Sequence, residues 1–186
     1  KLIKEKFLDH LGFNHLEFIL KKNQYGKPYY QCLKTLKIIN FNISHDNDKV
    51  VLFYNNNYQV GIDIMHVKQR KQFFFNNILN NFTEEERKTL NNSNNFIYDF
   101  YKLWTFKESY FKYLGTGIDN KNLLNINFKD FILEDKISFK LNDNIKIKNF
   151  IKKNNIYLII FNYESYIITI CFDIILTDSI EFININ

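Results

Sequence analysis

A single long helical pattern lies between two stretches of strand-like sequence. Apolar residues recur at helical spacing from about residue 96 to residue 114, and Gly115 follows as a helix stop. The flanking stretches combine short apolar runs with polar turns, as strands do. No repeat of solenoid length and no linker rich in Pro, Gly or Ser divides the chain. The order of strands, helices and strands predicts an α+β fold.

Local patterns predict the other elements. Thr83 and Glu86 have the spacing of a capping box, so a helix should begin there. Before it we expect a helix over 2–9, a strand over 16–20, a turn at 25–28, and strands over 38–43, 50–54 and 58–65. After the long helix we expect strands near 125–133, 136–141, 145–151, 156–162 and 166–173.

Charge and cysteine content indicate the class of partner. The net charge of +5 suits an acidic protein, a phosphate-rich ligand or nucleic acid. Abundant Lys, Asn and Ile also indicate AT-rich codon usage, which is enough to explain that charge. Cys32 and Cys171 have neither metal-site nor disulfide spacing, so we expect reduced thiols. No stretch forms a clean membrane span.

Scarce residue types cluster in three short segments. Four of the five glycines lie in 25–28, 60–64 and 114–117, and the only proline, Pro28, lies in the first of these. Because AT-rich codon usage disfavours Gly and Pro, we expect them to persist where backbone freedom or shape requires them.

An acidic residue is predicted inside the protein. Asp63 stands in the otherwise apolar strand 60–65, and a buried carboxylate needs a cation or several donors. Trp104, Glu108 and Lys112 are spaced i, i+4 and i+8, so they share one helix face. One Asp and one Glu would form an oxygen site for Mg²⁺, with lysines holding a polyphosphate. The alternative is a solvated ion-pair stripe on the helix.

These motifs resemble those of a known enzyme family. Gly61-Ile62-Asp63-Ile64 and Trp104-Thr105-Phe106-Lys107-Glu108-Ser109-Tyr110-Phe111-Lys112 are similar to the two signature motifs of the Sfp-type 4′-phosphopantetheinyl transferases. Tyr25-Gly26-Lys27-Pro28 and Phe41-Asn42-Ile43-Ser44-His45 agree in order and spacing. The resemblance covers residues 25–117.

The resemblance implies a reaction and an architecture. Such enzymes transfer the phosphopantetheine arm of coenzyme A to a serine of an apo acyl or peptidyl carrier protein, as in fatty acid biosynthesis, and release 3′,5′-ADP. The implied fold is a pseudo-dimer of two related α+β halves, here 1–95 and 96–186, with coenzyme A between them. The chain begins at Lys1, so we expect one domain over 1–186 that is truncated at its N-terminus, with any targeting segment upstream.

The same resemblance assigns the reacting residues. Asp63 and Glu108 would hold Mg²⁺, or Mn²⁺ in its place, on the pyrophosphate. Glu108, or Glu86 through a water, would take the proton from the carrier serine. Lys112 would contact the pyrophosphate and Lys107 would support it. Positioning and charge neutralisation are what displacement at phosphorus needs.

Coenzyme A would be held by two further motifs. Ser44 and His45 would reach its phosphates, together with Lys112, and Lys27 and Pro28 would border the adenine.

One position departs from the bacterial pattern. Many bacterial members carry a third acidic ligand two residues after the Asp, where this chain has Met65. Eukaryotic members often have Met there and take the ligand after the Ser-His pair, which is Asp46 here. Asp46 is therefore a candidate metal ligand, and its alternative role is a turn residue.

A basic segment follows the Asp63 strand. It contains His66, Lys68, Arg70 and Lys71, and it would dock an acidic carrier protein. The alternative is a solvated loop. The phenylalanines at 73–75 are expected in the core.

Two alternatives to an enzyme are a catalytically degenerate carrier-protein binder and a basic nucleic-acid module. A degenerate member should have lost Asp63, Glu108 or Lys112, and all three are present. A nucleic-acid module should cluster its Lys and Arg, whereas these are scattered. We therefore expect a monomeric enzyme with no nucleic-acid or membrane partner, in the cytoplasm or a plastid-like organelle.

Overall fold

The structure is a computed structural model that describes residues 2–117, 120–129, 137–138, 144–146, 151–153, 156–173 and 179–181. It confirms the predicted α+β class. The helices described are α1 (Leu2–His10), α2 (Gln72–Leu79), α3 (Glu84–Asn91), α4 (Phe96–Leu114) and α5 (Asn120–Leu123). The strands described are β1 (Phe18–Lys22), β2 (Pro28–Cys32), β3 (Ile38–Asp46), β4 (Lys49–Asn55), β5 (Val60–His66), β6 (Ile137–Ser138), β7 (Asn144–Lys146), β8 (Ile151–Lys153), β9 (Ile156–Tyr163), β10 (Tyr166–Phe172) and β11 (Ser179–Glu181).

The strands form two main sheets. The first is an antiparallel sheet in the order β1-β2-β3-β4. The second has the order β5-β10-β9-β6, with β8 also paired to β9. In this sheet β10 is antiparallel to both β5 and β9, and β6 is parallel to β9. A separate pair joins β7 to β11.

Polar residues at alternate positions of β3 join the two sheets. Asn42 accepts a hydrogen bond from the backbone of Ile62 at 3.1 Å, and Asp46 accepts one from the backbone of His66 at 2.8 Å. Ser44 lies between them and faces the same strand, β5. Since side chains of a strand alternate between its two faces, residues 42, 44 and 46 all point the same way. This arrangement brings β3 against the middle of β5.

Apolar packing surrounds this junction. Helix α4 packs on β5 and β10 through a core that includes Phe100, Leu103, Phe106, Leu158 and Ile167. The two sheets pack on each other through Ile64, Ile168, Phe172 and the half-buried Phe53. Helix α1 covers the first sheet through Phe7, Leu8, Phe18, Tyr30 and Phe41. Burial of these side chains supplies most of the driving force that holds α4 against β5.

The predicted helix ends are confirmed. Thr83 caps α3 in a capping box with Glu86, in which each side chain bonds the other's backbone N–H. Gly115 ends α4 in the left-handed conformation at a φ of 68°, which glycine adopts without strain. No helix in the described part of the chain is long and apolar enough to cross a membrane.

Two elements near the N-terminus differ from the prediction. The strand expected at 16–20 begins two residues later, because His15–Glu17 form a 3₁₀ turn. Strand β2 was not predicted, since Pro28 and its neighbours indicated only a turn. Proline lacks an N–H donor but is tolerated as the first residue of a strand, which is its position here.

The prediction of a strand at 125–133 is wrong for residues 125–129, the part of it that the structure describes. The carbonyl of Ile126 accepts a hydrogen bond from Lys107, and the backbone N–H of Phe128 donates one to Glu86. These backbone groups satisfy buried charged side chains and are therefore not available to a strand ladder.

The strands predicted at 136–141 and 145–151 overlap β6, β7 and the start of β8. Their other residues, and the end of the strand predicted at 125–133, lie outside the described residues.

Gly61 allows α4 to approach β5 closely. A Cβ atom on Gly61 would lie 2.0 Å from the carbonyl oxygen of Ser109 and 2.5 Å from the backbone nitrogen of Tyr113. We predict that Gly61→Ala lowers the free energy of unfolding by about 3 kcal/mol or more, because the helix must move away. Urea denaturation measures this. Leu114→Ala, at a side chain that is 39% exposed at the same helix end, should change little; equal effects of the two substitutions would contradict the prediction.

Candidate active site

A pocket of about 250 Å³ opens where β3, β5 and α4 meet. Strand β3 brings residues 43–45 to it, strand β5 brings residues 63–65, and α4 brings residues one turn apart on a single face. The pocket is lined by Ile43, Ser44, His45, Asp63, Ile64, Met65, Trp104, Glu108 and Lys112. The predicted sharing of one helix face by Trp104, Glu108 and Lys112 is confirmed.

Asp63 is the most buried acidic group of the pocket, with 4% of its surface exposed. Its Oδ1 accepts hydrogen bonds from Lys112 Nζ at 2.6 Å and from Ser44 Oγ at 2.7 Å. Its Oδ2 is buried and has no hydrogen-bond partner among the residues that the structure describes. Burial raises the pKa of Asp63, and the Lys112 ammonium group opposes that shift.

Glu108 lies one helical turn before Lys112. Burial, with a smaller contribution from the negative charge of Asp63, raises its pKa from 4.5 to about 7. A carboxyl group whose pKa is raised by burial and by a charged neighbour in the same pocket is typical of a functional site.

The raised pKa of Glu108 predicts how the free energy of unfolding depends on pH when no metal is bound. Between pH 4.5 and about 7 the folded protein holds a proton on Glu108 that the unfolded chain releases. The free energy of unfolding should therefore fall as pH rises through this window. Glu108→Gln should remove that loss and raise stability at pH 8 by about 2 kcal/mol. Urea denaturation at pH 5 and pH 8 in chelator tests this.

The control for this prediction is Glu84→Gln. Glu84 is exposed and paired with Lys88, which lowers the pKa of its carboxyl group. The effect of the Glu84 carboxyl group on the pH dependence of stability therefore has the opposite sign to that of Glu108, and it is small. If the Glu108→Gln variant and the unaltered protein lose stability in parallel between pH 5 and pH 8, the prediction is wrong.

The donor set fits a divalent cation. Asp63 Oδ2 is a buried oxygen without a partner, and the Glu108 carboxylate lines the same pocket. No group of three His, Cys, Asp or Glu side chains able to hold a metal ion occurs among the described residues. Mg²⁺ commonly takes one or two carboxylates and fills its other positions with water and phosphate oxygens. Two carboxylates beside a lysine therefore suit a cation that arrives with a phosphate ligand.

Five of the predicted site residues come together here. Ser44, His45, Asp63, Glu108 and Lys112 all line the pocket, although they come from three different elements. Met65, the position that departs from the bacterial pattern, lines it too.

Lys27 and Pro28 do not line the pocket. The Lys27 ammonium group donates to the carbonyls of Val60 and Tyr113, both at 2.8 Å, and to the side chain of Gln59 at 3.0 Å. Burial lowers the pKa of Lys27 to about 8. Lys27 thus fastens the start of β2 to the start of β5 and to the last turn of α4.

Glu86 and Lys107 also lie away from the pocket. Both side chains are fully buried, and Lys107 Nζ is 3.0 Å from Glu86 Oε2. Lys107 further donates to the carbonyls of Leu123 and Ile126, each at 2.7 Å. Glu86 accepts from the backbone of Phe128 at 2.8 Å. The pair ties α3 and α4 to the segment that follows α5.

Asp46 is not among the residues that line the pocket. Its Oδ2 accepts the backbone hydrogen bond of His66, as described for the junction of the sheets. In this arrangement Asp46 positions the end of β5, which carries Asp63.

The basic segment after β5 is held to α4. Arg70 donates to the hydroxyl of Tyr101 at 3.2 Å, and its guanidinium lies 4.5 Å from the ring centre of Phe74. Tyr101 in turn donates to the carbonyl of Lys68 at 2.9 Å. The expectation that all three phenylalanines at 73–75 are core is wrong for Phe73, which is 75% exposed.

Two contributors were missed from the sequence. Asn42 supports β5, and the alternation of Asn42, Ser44 and Asp46 in β3 was a signal that could have identified it. Tyr101 orders the basic segment, and no local pattern marks it, because its partners lie 31 and 33 residues away.

Fold and site together define a class of protein. A buried aspartate on a strand, and a glutamate and a lysine from one face of a helix, converge on one pocket of an α+β scaffold. The chain belongs to the 4′-phosphopantetheinyl transferase superfamily, whose family model matches residues 59–171. That range contains β5 and α4, which carry Asp63, Glu108 and Lys112.

Several relatives are similar to this chain over about two thirds of its length. The 4′-phosphopantetheinyl transferase gsp of Aneurinibacillus migulanus is 34% identical over 122 residues, which are 63% of this chain and 46% of that protein. A phosphopantetheinyl transferase of Thraustochytrium is 34% identical over 129 residues, 63% of this chain and 44% of that protein. The L-aminoadipate-semialdehyde dehydrogenase-phosphopantetheinyl transferase of Xenopus laevis is 31% identical over 143 residues, 69% of this chain and 45% of that protein. The chain thus spans less than half the length of these relatives.

Proposed function

We propose that this chain transfers the 4′-phosphopantetheine arm of coenzyme A to a serine hydroxyl of an apo carrier protein, with Mg²⁺ or Mn²⁺ as the cation. The observation that carries the proposal is the convergence of Asp63, Glu108 and Lys112 on one pocket. Family membership and the relatives named phosphopantetheinyl transferase support it. The retention of all three residues weighs against a degenerate carrier-protein binder, and the scatter of Lys and Arg along the chain weighs against a nucleic-acid module.

The reaction is a displacement at phosphorus. The serine oxygen of the carrier forms a new P–O bond to the phosphate that bears the pantetheine. The P–O bond within the pyrophosphate of coenzyme A breaks, and 3′,5′-ADP leaves with the electron pair. The serine proton passes to a base of the enzyme. Such a reaction needs alignment and neutralisation of negative charge more than covalent help from the protein.

The residues of the pocket supply these needs. Asp63 and Glu108 would hold the cation, which neutralises charge on the pyrophosphate when bound. Lys112 would contact a pyrophosphate oxygen, and His45, exposed at the pocket edge, would meet a further phosphate. Ser44 would hold Asp63 in place through the hydrogen bond it already donates.

Glu108 is the better candidate for the base. It lines the pocket, and a general base must lie within hydrogen-bond reach of the proton that it takes. Glu86 would have to act through water from a fully buried position, where it is already paired with Lys107. Its contacts favour a structural role.

The basic segment with Lys68, Arg70 and Lys71 would face the acidic carrier protein. Arg70 is held by Tyr101 and Phe74, so part of this surface is ordered before the partner arrives. Opposite charge on the two partners would mainly speed their association.

The test is the intact mass of the carrier. The protein is incubated with coenzyme A, Mg²⁺ and an apo acyl carrier protein, and the carrier should gain one phosphopantetheine, about 340 Da. Chelator or Glu108→Ala should prevent the gain. If several carriers show no gain while coenzyme A still binds, this chain does not perform the transfer. If coenzyme A does not bind, the proposal fails at its first step.

A further inference from the structure

The ammonium group of Lys112 forms an ion pair with the carboxylate of Asp63. Its Nζ lies 2.6 Å from Asp63 Oδ1 and donates to Ser44 Oγ at 2.8 Å. Ser44 donates to the same Oδ1 at 2.7 Å, so the three groups form a closed triangle. One oxygen of the carboxylate is therefore paired from within the chain, while the other, Oδ2, has no partner among the described residues.

The side chains of Lys112 and Asp63 differ in how freely they can move. The Lys112 side chain is 25% exposed, whereas that of Asp63 is 5% exposed. Lys112 lies in the last turn of α4 and carries its charge on a flexible four-carbon stem, so it can leave Asp63 without movement of the backbone. Asp63 lies inside strand β5, between α4 and the first sheet, and cannot follow it.

A divalent cation that binds Asp63 must meet this positive charge. Repulsion over a few ångström in a partly buried pocket weakens cation binding substantially. A phosphate group at the pocket mouth would attract the same ammonium group and draw it away from Oδ1. The carboxylate would then be free to bind the cation with its full charge.

We propose that Lys112 acts as an internal counter-ion that keeps the affinity for a divalent cation low until a phosphate-bearing ligand binds. The cation and the ligand then bind cooperatively, each raising the affinity for the other by the same factor. The inference rests on the proposed function only for the identity of that ligand. Coupling by Lys112 itself follows from the triangle of Ser44, Asp63 and Lys112.

Mn²⁺ binding can be measured without turnover. Trp104 is the only tryptophan of the chain and lines the pocket, so quenching of its fluorescence by Mn²⁺ reports on occupancy of the site. Without any phosphate ligand, Lys112→Met should bind Mn²⁺ roughly ten- to a hundredfold more tightly than the unaltered protein, the usual range of such coupling. An equal or weaker affinity in Lys112→Met would overturn the inference.

Three variants control this measurement. Lys88→Met removes the same charge from an exposed position, paired with Glu84 on α3, and should leave the Mn²⁺ affinity unchanged. Asp63→Asn should abolish the quenching, which shows that the signal comes from this pocket. If Lys112→Met does not fold, Lys112→Gln removes the charge with a polar side chain, and the same increase in affinity is expected.

A second measurement tests the coupling directly. Saturating 3′,5′-ADP, a phosphate-bearing probe that does not react, should tighten Mn²⁺ binding to the unaltered protein and have a much smaller effect in Lys112→Met. Equal enhancement in both proteins would contradict the role of Lys112. The transfer assay is independent of this result. If the protein transfers phosphopantetheine but Lys112→Met does not bind Mn²⁺ more tightly, the proposed function stands and the counter-ion role of Lys112 is refuted. If Lys112→Met binds Mn²⁺ more tightly but the protein transfers no phosphopantetheine, the counter-ion role stands and the proposed function is refuted.

Discussion

Asp63→Asn should reduce phosphopantetheine transfer by about a thousandfold or more, the scale expected when a charged group that organises the transition state is lost. Asp63 is the buried acceptor of the pocket, with one oxygen on Lys112 and Ser44 and the other without a partner. The amide keeps the shape of the side chain but removes its charge, so cation binding and the position of Lys112 are lost together. Intact-mass time courses of the carrier give the rate.

The matched control is Asp173→Asn. Asp173 is exposed and accepts a hydrogen bond from Tyr113 at 3.2 Å, outside the pocket. The same chemical change there should leave the transfer rate within about twofold, as surface substitutions usually do. A thermal melt of each variant separates loss of catalysis from loss of folding. Transfer by Asp63→Asn at more than a tenth of the original rate would contradict the role assigned to Asp63.

Glu86→Gln or Lys107→Met should each lower the free energy of unfolding by about 3–5 kcal/mol, because each leaves an uncompensated charge in the interior. Both side chains are 0% exposed and 3.0 Å apart. The double variant Glu86→Gln, Lys107→Met should lose much less than the sum of the two single variants, since neither charge remains. Urea denaturation of the four proteins measures this double-mutant cycle.

Glu85→Gln is the neighbouring control. Glu85 forms an ion pair of similar length, 2.9 Å, with Lys129, but its side chain is 57% exposed. Water screens such a pair, so the substitution should lower the free energy of unfolding far less than either single variant of the buried pair. The cycle also distinguishes a structural Glu86 from a catalytic one. If Glu86→Gln leaves stability unchanged but abolishes transfer, Glu86 is the base and the structural assignment is wrong.

Much of the site could be predicted because its residues follow local rules. Trp104, Glu108 and Lys112 share a face in any regular helix, and Asp63 stood out as the single charge in an apolar strand. The predictions gave Lys27 a role in coenzyme A binding and gave Glu86 and Lys107 roles in catalysis. The structure places all three side chains at contacts between elements. The local sequence around a buried lysine can be similar to that around a ligand-binding lysine. Only their tertiary contacts distinguish the two. The predicted division into related halves at residue 95 stays a prediction.

The sequence alone determined the α+β class, the start of α3, both ends of α4, and the grouping of charged residues on α4, because helix periodicity and end signals act over a few residues. The tertiary structure decided that Ser44 and Lys112 meet at Asp63, from 19 and 49 residues away along the chain. It also decided that Glu86 pairs with Lys107 in the interior. These contacts depend on the order of strands in the sheets and on the close approach of α4 to β5 at Gly61, which no local pattern encodes.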